Sequence, residues 1–279
     1  LFGTLPPLAA LILLGGCVDA PAIGSRGDAA ASSLVQFVTN RAVETRRNGE
    51  RYFGNEPGPL SAGRCSVALG EDDGAARLVE VSERPLPETL NGLAAANQRV
   101  VVYFHGYYED FERSCRRAAV FQRRLALEAG FLLFSWPANS TPFTYGDDVR
   151  DLEASIPDFL QLLDDLGERI GRGNVSIVAH SLGSRGLVRA LRARPASSEP
   201  FRDLVLIAAD VNRARFVEVL PALRAQVDRL TILVSGRDLA LRLSEAVNQS
   251  PRLGQALEAP VEGVTVRDVT AIADTHLSG

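Results

Sequence analysis

From residue 99 onward, short unbroken apolar runs alternate with stretches whose apolar residues recur every three or four positions. Val100–Phe104, Phe131–Phe134, Val175–Ala179, Leu204–Ala208, Leu230–Val234 and Val264–Val266 have the length of strands. Their continuous apolar character fits strands covered on both faces. Phe111, Cys115, Ala118, Phe121 and Leu125 fall on one side of a helix, as do Val149, Leu152, Ile156, Phe159, Leu160, Leu163 and Leu166. Asp147 and Asp148 suit the positive end of that second helix, and Pro157 is expected to kink or restart it. Further helices are expected around Ala214–Leu223 and Ala240–Val247. The alternation predicts an α/β fold with a mainly parallel central sheet and helices on both faces.

Upstream the pattern is weaker. Leu34–Val38 is read as a first strand, and Cys65–Leu69 and Arg77–Val81 as short half-buried strands. Glu44 to Gly63, with Gly54, Pro57, Gly58 and Pro59, is read as loop. Residues 18–33 are rich in Ala, Gly, Ser and Asp and read as a flexible tether. Leu8–Leu14 is apolar but too short to span a bilayer. It leads into Leu14-Gly15-Gly16-Cys17, which resembles the lipobox of bacterial lipoproteins, with Cys17 as the lipidation site. No methionine occurs, so the expected organisation is a truncated signal segment over 1–17, the tether over 18–33 and a catalytic domain over 34–279. The expected location is the cell envelope, anchored by lipid and facing the periplasm or exterior.

Composition changes the picture in two places. With 30 basic residues, 34 acidic residues and a net charge of −4, nucleic acid is not an expected partner. Setting Cys17 aside, Cys65 and Cys115 form an even pair in an oxidising compartment, so a disulfide is allowed. Two separate buried thiols are the expectation.

The candidate chemistry lies in Ala179-His180-Ser181-Leu182-Gly183, where a strand meets a helix. That context and the small-x-Ser-x-small spacing describe a nucleophile elbow, which lifts a serine hydroxyl above the sheet edge. The bland alternative makes Ser181 a helix N-cap. A serine nucleophile requires a base, and an acid to orient that base. Of the three histidines, only His276 follows the candidate acids in the usual Ser–acid–His order. Asp238 follows the Leu230–Val234 strand and Asp210 the one before it, and either could be the acid. The N–H of Leu182, with that of Gly106 or Tyr107, would form the oxyanion hole. His105 is read as structural. The three histidines show no metal-ligand spacing, so neither metal nor cofactor is implied. Tyr107, Tyr108, Trp136, Phe143 and Tyr145 are candidates to line an acyl pocket.

Seven blocks carry a resemblance over residues 34 to the end: Phe37–Arg41, Gly63–Val67, Val102–Tyr107, Phe134–Pro137, Ala179–Gly183, Ala208–Val211 and Ser235–Leu241. In this order they resemble the bacterial alpha/beta hydrolases of unknown function. The resemblance implies an α/β-hydrolase fold with Ser181, Asp238 and His276 as triad; Asn212 departs from it, standing where an acidic residue is expected. Lid domains of this fold are inserted after the Leu204–Ala208 strand, where the crossover is short, so no large lid is expected. The implied activity is cleavage of an ester or thioester in a small-molecule or lipid substrate. An acyltransferase with the same triad, or a non-catalytic envelope scaffold, are the alternatives.

Overall fold

The structure, a computed structural model, describes residues 32–70, 75–126, 129–139, 141, 144–195, 199–255 and 261–271. Cys17, Phe143 and His276 lie outside them, as does most of the proposed tether.

The described chain forms one nine-stranded sheet in the order β3-β2-β1-β5-β4-β6-β7-β8-β9. The strands are β1 (Ser32–Thr45), β2 (Arg51–Ala68), β3 (Arg77–Arg84), β4 (Val100–Phe104), β5 (Gly130–Ser135), β6 (Val175–His180), β7 (Phe201–Ile207), β8 (Val227–Val234) and β9 (Thr265–Asp268). From β1 to β9 all neighbours are parallel, and the β1–β2–β3 meander is antiparallel. Seven helices accompany them: α1 (Leu86–Ala96), α2 (Phe111–Leu125), α3 (Tyr145–Ala154), α4 (Ile156–Ile170), α5 (Leu182–Ala193), α6 (Arg213–Arg224) and α7 (Leu239–Asn248). No large lid interrupts the described residues.

Alternation within β4 splits the core in two. Val100, Val102 and Phe104 join the cluster beneath α1, α4, α5 and α6, while Val101 and Tyr103 pack on the other face with Phe111, Cys115 and Ala118 of α2. Asp110 caps α2 by accepting from the Arg113 N–H at 2.8 Å. Pro157 sits in the first turn of α4, where its missing N–H costs nothing; it restarts the helical stretch after Ser155 rather than kinking it.

Three upstream readings are corrected. Residues 51–63 are not loop but the first part of β2, pairing with the second half of β1 through two register shifts, with Pro57 opposite Arg41. β3 pairs with β2 only from Ala62 onward, so Pro57 and Pro59 lie on a stretch with a free edge, where a missing donor is tolerated. β3 itself is a largely exposed edge strand rather than half-buried. Helix α1 went unread because prolines 85 and 87 and Asn91-Gly92 mask a short buried face of Thr89, Leu90 and Leu93.

The two cysteines are not separate thiols. Cys65 of β2 and Cys115 of α2 form a disulfide with Cα atoms 6.4 Å apart. Closing a loop of 50 residues stabilises the folded state by roughly 4 kcal/mol in the chain-entropy account.

Candidate active site

The chain leaves β4 toward β5 on one side and returns past it to β6 on the other, so the C-terminal ends of β4 and β6 flank a topological switch point. The loop 105–109 and Ser181 both emerge there.

β6 is buried from Val175 to Ala179. The chain then turns at Ser181, whose φ of 48° and ψ of −121° lie where side chains are strained. Neighbouring strands pin this turn: the Ser181 N–H donates to the Ile207 carbonyl at 2.9 Å, and the Asp210 N–H donates to the Ser181 carbonyl at 3.1 Å. The Ser181 hydroxyl makes no capping bond to α5. Thus the N-cap reading fails, and the first N–H groups of α5, beginning at Leu182, keep no intrahelical partner.

Small residues allow the elbow to close on β4. A Cβ at Gly183 would fall 2.2 Å from the His105 carbonyl oxygen, and one at Gly106 2.6 Å from His180 Nδ1 and 3.0 Å from Ser181 Cβ. The His105–Glu109 loop therefore touches the nucleophile directly. His105 is buried, its ring stacked on Trp136 at 5.1 Å, and the Trp136 Nε1–H donates to the His105 carbonyl at 2.9 Å. Burial holds that imidazole neutral, well below its usual range. Trp136 is thus a core packing residue and not a pocket wall. Tyr108 is likewise engaged elsewhere, under the Arg113 guanidinium at 4.3 Å. Tyr107 and Tyr145 meet edge to face at 5.7 Å and stay partly exposed.

The two candidate acids differ sharply. Asp210 is 2% exposed and its oxygens are committed: Tyr145 donates to Oδ2 at 2.7 Å and Ser244 to Oδ1 at 2.6 Å, with Arg252 Nη1 3.5 Å away. This network fastens α7 and α3 to the end of β7. Asp238 is half-buried at the start of α7, where its Oδ1 accepts from the Leu241 N–H at 2.9 Å. Burial raises its carboxyl above the usual range, and the Asp210 charge adds to that. Asn212, the departure from the family pattern, caps α6 by accepting from the Arg215 N–H at 2.9 Å.

Two groups gave no sequence signal. Arg41 is wholly buried in the second half of β1, donating from Nε to Ser135 Oγ at 3.0 Å and from Nη2 to the Glu109 carbonyl at 2.7 Å. Its Nη1 reaches the Gly54 and Ala138 carbonyls, both at 3.1 Å, and Asn55 Oδ1 at 3.0 Å. Burial pushes this guanidinium down to about 9. Glu109, also fully buried, pairs with Arg117 at 2.9 Å. Nothing in the local pattern around either residue marks its charge as buried.

Residues 86–276 match the family described as alpha/beta hydrolase of unknown function (DUF900), which is well over half of the chain. The chain belongs to this family. In this alpha/beta hydrolase Ser181, the loop 105–109, Asp210 and Asp238 all follow the C-terminal ends of neighbouring strands, at one edge of the sheet. No curated protein sequence matches it. Among solved structures it is similar to a ferulic acid esterase, with TM-score 0.38 and 12% identity over 85% of this chain and 90% of that one. A CIB-like hydrolase from Thermoplasma acidophilum gives TM-score 0.37 and 10% identity over 82% and 86% of the two chains. The fluorophosphonate-binding serine hydrolase FphF of Staphylococcus aureus gives 0.35 and 13% over 85% and 90%. None of the described helices is long and apolar enough to cross a membrane.

Proposed function

We propose that this alpha/beta hydrolase is a serine hydrolase that cleaves an ester or thioester through an acyl-enzyme. The observation that carries the reading is Ser181, held at a positive φ with its hydroxyl unused by the helix it precedes. Backbone strain of this kind costs about 1–3 kcal/mol and clusters at active sites. In this reading Ser181 attacks the carbonyl, His276 takes and returns the proton, and water resolves the acyl-enzyme. The N–H groups of Leu182 and Tyr107 receive the oxyanion; Gly106 is set aside because its N–H faces the Glu109 carboxyl. Asp238 is the preferred acid, since both oxygens of Asp210 already have donors. The envelope location, with lipid at Cys17, is part of the proposal. It is supported by the lipobox-like segment and by a disulfide that needs an oxidising compartment.

The decisive test is labelling of the purified, folded chain with a fluorophosphonate probe. Labelling is expected for wild type and none for Ser181→Ala; a folded wild type that resists the probe would favour the binding scaffold.

The acid assignment is checked with any activated ester that the wild type turns over. Asp238→Asn should lower kcat by about 10³–10⁴-fold with the circular dichroism unchanged. Asp210→Asn should mainly lower stability, by loosening Tyr145 and Ser244. The reverse ranking would move the acid to the end of β7. The same assay yields a pH profile. His180 is pushed down to about 3 by burial and by Arg117, and His105 also stays neutral. An acidic limb in the ordinary histidine range is then expected from His276, the base becoming unavailable as pH falls. Asp151, raised to about 6 by burial and the Asp148 charge, is separated from it by Asp151→Asn, which should leave the limb in place.

A further inference from the structure

The loop that follows β4 is held from three sides. Tyr108 adopts a left-handed φ of 63°, uncommon for a bulky residue. Arg113 Nη1 grips its carbonyl at 2.8 Å, and Arg41 Nη2 holds the next carbonyl, that of Glu109, at 2.7 Å. The third restraint is the Glu109 side chain, which turns inward beneath the loop. Its Oε1 takes Arg117 Nη1 at 2.9 Å and lies 3.9 Å from His180 Nδ1, the residue just before the nucleophile. The Gly106 N–H faces the same carboxyl, while Oε2 and His180 Nδ1 have no hydrogen-bond partner among the described residues.

An ion pair with Glu109 buried and Arg117 reaching the surface contributes little net stability, because the carboxylate gives up its water to form it. Its value here is geometric. Glu109 bears on Gly106 from one side and on His180 from the other, and those residues flank Tyr107 and Ser181. We propose that Glu109, paired with Arg117, is the positioning residue that locks loop 105–109 against the nucleophile elbow and so fixes the Tyr107 N–H for the oxyanion. This rests on the hydrolase reading for its catalytic consequence but not for the lock itself.

Glu109→Gln keeps the shape and removes the charge that holds Arg117. The wild type, this variant and Arg117→Met are compared by ester kinetics and by hydrogen–deuterium exchange of the peptide covering residues 104–110. For both variants kcat is expected to fall about 10–100-fold with KM within twofold, because a misplaced oxyanion donor weakens only the transition state. Exchange in the 104–110 peptide should quicken while peptides from α4 remain unchanged. Glu109→Asp, which retains the charge with a shorter reach, should recover part of kcat. Activity that falls only with the folded fraction, or unchanged exchange in that peptide, would overturn the proposal. A wild type that turns over no ester would defeat the hydrolase reading, and the exchange data would still decide whether Glu109 is the lock.

Discussion

Ser181→Gly is expected to give a protein that is more stable than wild type and has lost about 10⁴–10⁶-fold in kcat. The two effects share one cause. At φ 48° and ψ −121° a side chain is strained, and glycine enters this region without penalty. Relief should be about 1 kcal/mol, offset slightly by the freer unfolded chain that glycine brings. Ser181→Ala keeps the Cβ and the strain, so it should lose the same activity without the gain in stability. Urea unfolding of the three proteins side by side, with ester turnover on the same samples, checks both halves. A glycine variant less stable than the alanine variant would remove strain from the argument and leave Ser181 an ordinary turn residue.

Arg41→Met should produce the largest loss of stability, about 3–5 kcal/mol, because it strands buried partners without their donor. The Gly54, Ala138 and Glu109 carbonyls and Ser135 Oγ all receive from this one guanidinium. Arg41→Lys should recover little, since an ammonium carries three donors from one point and cannot reproduce the planar fork. Thermal unfolding would register the methionine variant as a fall in Tm of roughly 10 °C or more. A variant within 1 kcal/mol of wild type would show that water or repacking replaces the arginine. Because the loops it ties belong to β2, β4 and β5, the loss should also appear as a single cooperative transition at lower temperature.

What could be read in advance was what depends on local pattern. Val100–Phe104 and Val175–Ala179 are buried on both faces, so every position is apolar and the strands show directly. The elbow was legible because the tight turn forces small residues at 179 and 183 beside the serine. The β1–β2 hairpin was hidden since Gly54, Pro57, Gly58 and Pro59 ordinarily end strands; a free edge and the close approach of Gly58 to the Ala42 backbone accommodate them. The Cys65–Cys115 bond joins residues 50 apart, a separation that carries no local pattern. Arg41 and Glu109 escaped for a related reason: their roles come from loops that meet only when the sheet is assembled. Asp210 and Asp238 share one local pattern, since both follow a strand and precede a helix. The sequence favoured Asp238 only through its place after the crossover strand, and their different hydrogen-bond partners came from the assembled sheet.

The direction of β1 has a mechanical consequence. Thr39 lies beside Ser135 toward the sheet edge that carries Ser181, whereas Ser32 lies at the far end, opposite Ala68. Seven residues of strand separate these points by about 23 Å. Anchored through Cys17 as proposed, the domain would be joined to its anchor at the end of β1 away from Ser181, so the attachment point and the candidate site would not compete for the same edge.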